Sequence, residues 1–592
     1  MKGIIGGMAA IMAGAAAIVP AHAQPAKAAA TQANATWADK RLAVLYNGYS
    51  AWEAKEFEYY EDARGETKPT AHLAHVDPAS QLRRADHMRQ LLDQLNAIPE
   101  TQLSAEERVN GAVFRTILEN NIAEARFREW EMPFNSDSSF WTYLDSRDPF
   151  ESADEYRRYI SRMRDIPRFF DENIANMRDG LKRGFSVPRA TLQGRDKSVS
   201  TFIVGDAATS AFYKPFEAMP SAIPAAEQAA LRTDAIAAIQ QSVLPAYRQL
   251  LSFVRDEYFP KARTTLAARD LPDGDAFYRA NIREYTTTDL SPEEIHQIGL
   301  KEVARIDAAM RQTMRESGYK GSFEDYLKFL RTDPQFYART PDELMGVSAY
   351  VAKRTDNVIG QHFGLLPRRR FGIIPVPDAL APFYTSGRGG LENCMMNTYN
   401  LPTRPLYNIP VLTLHECEPG HSFQLALSEE HKSLPRFRRN IYFSGYGEGW
   451  GLYSEWLGYE MGIYRTPYEK FGALSYEMWR AARLVIDTGI HRYGWSRQQA
   501  IDYLAGHTAL SQHEVETEVD RYISWPGQAL AYKLGELTIR RLRSEAESTL
   551  GSKFDERAFH DRLLALGSVP LSVLEQQMRA FIREQQAKAA KR

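Results

Sequence analysis

Between Pro367 and Pro410 the chain carries prolines at 367, 375, 377, 382, 402, 405 and 410, and also the run Gly387-Arg388-Gly389-Gly390. Proline removes a backbone donor and clashes with the preceding turn, so no long helix can run through this stretch. It reads as loop and short strand, with Phe371 to Val376 and Met395 to Tyr399 as the strand candidates. On either side the pattern is helical. Met88, Leu91, Leu92 and Leu95 recur at helical spacing, and the segments from Tyr156 to Asp179 and from Ala226 to Tyr258 repeat the pattern. Ser291-Pro292-Glu293-Glu294 is a helix start with a capping residue, a proline at the first helical position and a capping-box glutamate. Helices resume from Leu412. The expectation is a mainly α fold: a large helical body with a small β element beside an active-site cleft. Residues 24–592 read as one domain, with an N-terminal helical part over about 35–265 and a C-terminal part over about 280–585. Between these parts lies a break at Asp270–Asp275 with Pro272 and Gly274.

Residues 1–23 read as a signal peptide. Lys2 is the basic start, Ile4 to Val19 are small or apolar, and Ala21-His22-Ala23 fits a cleavage site. The expected location is therefore exported, in a periplasm or secreted. No stable membrane insertion is expected once the signal is removed, because no other stretch approaches 18 uninterrupted apolar residues. With 73 basic and 75 acidic residues, the chain has no global pull toward nucleic acid. Two cysteines exclude a disulfide-dense scaffold and a four-cysteine metal site. Cys394 and Cys417 could bridge in an oxidising compartment, or could be two buried thiols that fill space.

The chemistry is concentrated in Leu414-His415-Glu416-Cys417-Glu418-Pro419-Gly420-His421. A His-Glu pair followed by a second His is the theme of zinc hydrolases, usually as H-E-x-x-H on one helix face. Here the second His is six positions on. A straight helix would rotate it about 120° away and raise it about 9 Å. Pro419 and Gly420 supply the means to kink or bulge the helix and return His421 to His415. A third protein ligand is still needed. Glu448 and Glu455, in Gly447-Glu448-Gly449-Trp450-Gly451-Leu452-Tyr453-Ser454-Glu455, lie on nearly one helix face about 10 Å apart, so only one can ligate. Glu448 is the expected ligand, with Glu455 behind it or on a cleft wall.

These motifs resemble the domain of unknown function 885 family. Further marks are Asp487-Thr488-Gly489-Ile490-His491, Gly494-Trp495, Arg521-Tyr522, Pro526-Gly527-Gln528-Ala529, Tyr532-Lys533 and Gly567-Ser568-Val569-Pro570-Leu571. The family is similar to gluzincin metallopeptidases, which implies a mostly helical fold and a His, His, Glu ligand set. The Glu448-Gly449-Trp450 segment also resembles the Asn-Glu-Gly-Phe-Ala segment of zinc aminopeptidases, which supports Glu448 as third ligand.

The expected function is zinc-dependent cleavage of peptide bonds, with one Zn2+ per chain held by His415, His421 and Glu448. Glu416 would take the proton from the attacking water and pass it to the leaving amine, with Glu418 as the weaker rival. A donor for the tetrahedral intermediate is expected from Tyr522 first and Tyr532 second. Arg521 would pair with Glu518 or bind a substrate carboxylate. The Met395–Tyr399 strand would pair with an extended substrate, placing Tyr384, Arg388 and Asn397 nearby. If Arg388 or Arg521 faced the cleft, it would anchor a peptide C-terminus. Asp487 and His491, four apart, would orient a ligand or brace the fold. The alternatives are a zinc amidohydrolase acting on a non-peptide amide, and a non-catalytic periplasmic binding protein. No G-x-S-x-G elbow, phosphate loop or C-x-x-C-H is present.

Overall fold

The computed structural model describes residues 36–590 except 64, 147, 378–380, 385 and 440. The expected signal peptide lies outside the described residues. The described chain forms two compact units. One holds the residues up to Leu266 together with Asp270–Gly274, and the other holds Ala267–Arg269 and the chain from Asp275 on.

The first unit is built on α1 (Trp37–Glu56), α2 (Pro78–Asn96), α3 (Ala105–Phe127), α4 (Ala153–Arg183), α5 (Ala225–Ala238) and α6 (Leu244–Ser252). Strands β1 (Tyr59–Glu61) and β2 (Thr67–Pro69) form an antiparallel hairpin between α1 and α2. The long α4 is fixed at both ends. Ser152 and Glu155 make a reciprocal capping box, and Gly184 closes the helix with φ of 76°. Its apolar stripe of Tyr156, Ile160, Met163, Phe170, Ile174 and Met177 is buried.

The second unit carries the motif residues. Its helices are α7 (Gly274–Thr286), α8 (Pro292–Glu316), α9 (Phe323–Thr332), α10 (Pro341–His362), α11 (Ile409–Glu416), α12 (His421–Glu430), α13 (Ser444–Glu460), α14 (Pro467–Thr488), α15 (Arg497–His507), α16 (Gln512–Ser524), α17 (Ala531–Leu550), α18 (Glu556–Ala565) and α19 (Leu571–Ala590). The capping box expected at Ser291 and Glu294 starts α8. Val303, Ile306 and Met310 of α8, Tyr326 and Leu330 of α9, Tyr407, and Phe471, Met478 and Val485 of α14 form one buried cluster. Helices α13 and α17 approach closely because Gly449 faces Gly535; a Cβ at Gly449 would lie 2.6 Å from the Gly535 backbone. Across α8, α14 and α17, the fully buried Lys533 ammonium meets Glu477 at 2.9 Å, Glu536 at 2.8 Å and Glu302 at 3.3 Å.

The proline-punctuated stretch folds into a three-stranded sheet of order β3-β5-β4: β3 (Gly372–Pro375), β4 (Gly387–Arg388) and β5 (Asn393–Met396). Strand β5 pairs parallel to β3 and antiparallel to β4. The second expected strand is thus shifted toward the N-terminus, and it is central. Both its edges are taken, so β5 cannot receive a substrate strand; that edge belongs to β4. Asn397 is buried. Its Nδ2 donates to the carbonyls of Ala381 at 2.9 Å and Tyr384 at 3.0 Å, and its Oδ1 accepts from Tyr399 N. The expected substrate contact at Asn397 is therefore corrected to a brace of the loop. The two cysteines are joined: a Cys394–Cys417 disulfide, Cα–Cα 5.3 Å, ties β5 to the residue after α11.

Asp487 and His491 brace the same unit. Asp487 Oδ1 accepts from Tyr278 OH at 2.5 Å and from Gly527 N at 3.3 Å. His491 Nδ1 accepts from Ala268 N at 3.0 Å, and its Nε2 lies 2.9 Å from Tyr522 O. Burial pushes the Asp487 carboxyl up to about 7, against the pull of those two hydrogen bonds. The folded state then keeps a proton that the unfolded chain releases near its ordinary value of 3.8. The stability this gives is complete below about pH 4 and is lost as pH rises through about 7. Asp487→Asn keeps an oxygen for both donors and cannot ionise. Relative to wild type, its melting temperature should rise progressively between pH 4.5 and 7.5, as read by thermal denaturation across that range.

Candidate metal centre

His415 sits at the end of α11 and His421 at the start of α12. The chain does not kink one helix between them; it stops one and starts another, which corrects the expected bulge. Cys417 has φ −97° and ψ −92°, Gly420 has φ −72° and ψ −136°, and the Glu418–Pro419 peptide is cis. A Cβ on Gly420 would run into the carbonyls of His415 and Leu414, so only glycine fits there. The turn is held from outside by Trp450 Nε1, which donates to Pro419 O at 2.8 Å. Within it, Ser422 Oγ donates to Glu416 O at 3.1 Å and Phe423 N to Cys417 O at 3.1 Å. The result places the two imidazoles with ring centroids 4.8 Å apart and nearly perpendicular.

Helix α13 brings Glu448 to both rings. Glu448 Oε2 lies 3.3 Å from His421 Nε2 and 3.6 Å from His415 Nε2. One ligand atom from each of these three residues lies within 4.8 Å of the others. Two turns further along α13, Glu455 Oε1 accepts from His415 Nδ1 at 2.7 Å and meets Arg480 at 3.4 Å. With Nδ1 committed, Nε2 is the ring atom left facing Glu448. Burial pulls the His415 imidazole down, but its hydrogen bonds to Glu448 and Glu455 outweigh this and push it up to about 9. Burial likewise raises Glu448, yet the charge of His421 and the bonds to both histidines hold it well below the usual carboxylate range.

Glu416 is oriented from β4's end: Gly389 N donates to its Oε2 at 2.6 Å. Arg388, an exposed residue of β4, is the residue that precedes Gly389. Glu418 points elsewhere. It is buried against Asp356 of α10, and burial, with the Asp356 charge, pushes its carboxyl up to about 8.

Tyr522 does not supply a free donor. It is 1% exposed, and its hydroxyl accepts from Trp479 Nε1 at 2.8 Å and Arg483 Nε at 3.1 Å while bonding to Glu518. All its hydrogen-bonding capacity serves the core. Tyr532 packs with Leu452, one turn beyond Glu448 on α13, and with Tyr285. Its hydroxyl accepts from Arg521 Nη2 at 3.2 Å and Gln528 Nε2 at 3.4 Å. Arg521 also meets Glu518 at 3.6 Å, one of the two roles expected for it. Sequence reasoning missed Tyr442. It is 42% exposed, lies over Gly447, and donates to Glu448 Oε1 at 3.1 Å. Burial, then the charges of Glu448 and Glu416, push its phenol well up, so it stays a donor. Only its place six residues before Glu448 marks it in the sequence.

A second group, His75, Asp77 and Glu172 in the first unit, has ligand-like proximity. A cation already serves it: Arg168 lies 2.8 Å from Glu172 and 3.1 Å from His75. Asp77 meanwhile caps α2 through the amides of Ala79 and Ser80.

A family model described as “Bacterial protein of unknown function (DUF885)” matches residues 60–578. A crystal structure described as a “putative lipoprotein” from Colwellia psychrerythraea is similar with a TM-score of 0.83 at 27% identity, covering 92% of this chain and 99% of that one. A “putative lipoprotein of unknown function” from Shewanella oneidensis shares the fold, with a TM-score of 0.64 at 18% identity, covering 86% of this chain and 94% of that one. Among curated proteins none matches.

Gly451 lies against the first histidine. A Cβ there would sit 2.6 Å from His415 Cε1. Alanine for glycine in a helix interior ordinarily gains about 0.5–1 kcal/mol, but here the methyl must displace a buried imidazole held by Glu455. Gly451→Ala should therefore fold with near wild-type helicity by circular dichroism. Any zinc that wild type is found to retain by elemental analysis should be largely lost from it.

Proposed function

The chain belongs to the DUF885 family of bacterial proteins of unknown function, and we propose that its chemistry is zinc-dependent hydrolysis of peptide bonds. The observation that carries this is the spacing of the donor atoms. Ligands about 2.0–2.1 Å from a tetrahedral ion stand about 3.3 Å apart. The Glu448 oxygen stands 3.3 Å and 3.6 Å from the two histidine nitrogens. Two neutral-capable imidazoles and one carboxylate suit zinc, and three protein ligands leave a position open. The His, His, Glu set and its helical setting support the likeness to gluzincin metallopeptidases.

A zinc ion held by His415, His421 and Glu448 would supply Lewis acidity and an acidified water. The remaining work falls to side chains. Glu455 fixes the His415 tautomer and is itself held by Arg480. Tyr442 holds the Glu448 carboxylate by its outer oxygen. Glu416 neighbours a ligand without being one, and the Gly389 amide fixes one of its oxygens. Its other oxygen is the proton acceptor for the attacking water and the donor to the leaving amine. With Tyr522 committed to the core and the Tyr442 proton on Glu448, Tyr532 is the phenol placed to donate to a developing oxyanion. The edge of β4, one residue from Gly389, is the backbone against which an extended peptide can lie.

An exported location fits this reading. The similar protein from Colwellia psychrerythraea is described as a lipoprotein, and a disulfide beside the centre suits an oxidising compartment. No helix among the described residues is long and apolar enough to cross a membrane.

The test is elemental analysis of purified protein beside Glu448→Ala. Wild type should hold close to one zinc per chain and the variant should lose it. Glu416→Gln should keep the zinc but lose peptide cleavage by a factor of about 10² or more. Wild type that neither carries nor takes up zinc would overturn the reading. Retention of zinc by Glu448→Ala would move the third ligand elsewhere.

A further inference from the structure

The sheet beside the centre is small. Its strands are four, two and four residues long, and strands so short hold little stability by themselves. It nevertheless delivers a specific group: the Gly389 amide, the next after β4, donates to Glu416 Oε2 at 2.6 Å. The approach leaves no slack. A Cβ on Gly389 would run into the Glu416 carbonyl and lie 2.5 Å from His421 Cβ, and one on Gly387 would lie 3.4 Å from Glu416 Cγ. The Glu416 carboxylate is therefore set by how the sheet sits on the turn.

Different contacts hold the two sides of this junction. The ligand side is held by hydrogen bonds. Trp450 of α13 donates to Pro419 O, Ser422 Oγ to Glu416 O and Phe423 N to Cys417 O. The sheet side is held by the Cys394–Cys417 disulfide. Cys394 lies on β5, and its neighbour Met395 pairs with Arg388 of β4, the residue before Gly389. Cys417 follows Glu416, and its amide closes α11 on Thr413 O at 2.9 Å. One covalent bond and one strand pairing thus lead from the turn to the amide that holds Glu416. Ser386, at the other end of β4, donates to Glu514 Oε1 at 3.1 Å, so the disulfide governs the end that meets Glu416. Both cysteines are fully buried. As separate thiols each would fill its own space at a Cα–Cα separation of 5.3 Å, and the glycine contacts leave none between sheet and turn.

Resting on the hydrolytic reading above, we propose that this disulfide is a redox latch on the proton acceptor: only the oxidised chain holds the sheet against Glu416, so the protein is latent while its thiols are reduced and becomes active where a disulfide can form. The step is a thiol–disulfide exchange. One cysteine thiolate attacks a disulfide-bearing oxidant and displaces one of its sulfurs; the second cysteine thiolate attacks the mixed disulfide and releases the oxidant as a dithiol. Two electrons pass to the oxidant, and the two thiol protons end on its sulfurs. Because both cysteines are buried in the folded chain, the exchange belongs to folding, before β5 docks, and the closed latch is shielded from small thiols.

The experiment compares oxidised wild type, wild type refolded in a dithiol reductant, and Cys394→Ala. Circular dichroism should be the same for all three. In metal-free protein, amide hydrogen exchange over residues 387–396, read by mass spectrometry, should be at least tenfold faster in both disulfide-free forms, with exchange in α13 unchanged. Cys394→Ala should take up zinc as wild type does, because α13 and the bonds of the turn keep the ligands, yet its kcat/KM for peptide cleavage should fall at least tenfold. Reoxidising the refolded wild type should restore both protection and cleavage, and Cys394→Ala should not respond to the oxidant. Equal exchange and equal cleavage with and without the disulfide would overturn the latch and leave the hydrolase standing. Faster exchange in the disulfide-free forms, with cleavage by none of the three, would keep the redox-dependent sheet and overturn the hydrolase. Loss of zinc from Cys394→Ala alone would overturn the separation of the sheet side from the ligand side. If Cys394→Ala fails to fold, reduced and reoxidised wild type decide.

Discussion

The turn from Cys417 to Gly420 is the constraint on which the metal centre depends. Six residues of straight helix would face the two histidines apart; a terminated helix and a restarted one make them perpendicular neighbours. Two hydrogen bonds hold the turn from within, and it is also anchored from outside. The disulfide ties Cys417 to the central strand of the sheet, and Trp450 grips the Pro419 carbonyl. Trp450 is two residues from Glu448, so the helix that carries Glu448 also fixes the turn that sets the two histidines. Closing a loop of this length restricts the unfolded chain by roughly 3 kcal/mol in the chain-entropy view. The more specific consequence is geometric: β5 is held against the end of α11, and β4 beside it carries the Gly389 amide to Glu416.

Charges reach deep into the second unit, and their arrangement bears on the site. Arg480, Arg483 and Glu477 of α14, with Lys533 and Glu536 of α17, are buried or nearly so. Taking such groups out of water costs several kcal/mol per ion, which mutual attraction repays only where hydrogen bonding is good. Lys533 meets three carboxylates, and Arg305 and Arg540 meet Glu477 and Glu536 from outside. This network contributes less net stability than its contacts suggest. It does fix the register of α14 and α17 against α8, and that register decides where Arg480 meets Glu455 and where Tyr532 meets Leu452. Truncating Lys533 would leave three buried carboxylates facing one another, so register and site geometry are coupled through one side chain.

Much of this was legible in the sequence, for identifiable reasons. Helical periodicity, the Ser291 capping box and the proline-rich interruption are local signals, and they located α4, α8 and the sheet. The chain places His415, His421 and Glu448 together, as their residue types and spacing required, because an unusual spacing came with the proline and glycine able to absorb it. What was not legible depends on long-range placement. Sequence order cannot say that β5 would be central rather than an edge, since strand order follows from how β3 returns beside it. Nor can it say that the Tyr522 hydroxyl would be consumed by Trp479, Arg483 and Glu518, while Tyr532, ten residues on, keeps its proton. Both tyrosines sit in equally suggestive motifs. Only the packing of α14 against α16 and α17 separates them.

Tyr442 shows why a ligand motif understates its site. A carboxylate between two imidazoles has two oxygens, and only Oε2 faces the rings. Left alone, Oε1 could rotate in and present both carboxylate oxygens to the two rings. The Tyr442 hydroxyl holds Oε1 outward at 3.1 Å, and burial with nearby anions keeps that phenol protonated. Its ring lies over Gly447, where any side chain would push it away. The glycines at 447 and 451 therefore serve one end from opposite sides. One lets the phenol reach the glutamate, and the other lets the His415 imidazole lie against the helix beside Glu448. A helix as glycine-rich as α13 gives up intrinsic stability of about 0.5–1 kcal/mol at each such position, and the return is space for two rings against its backbone.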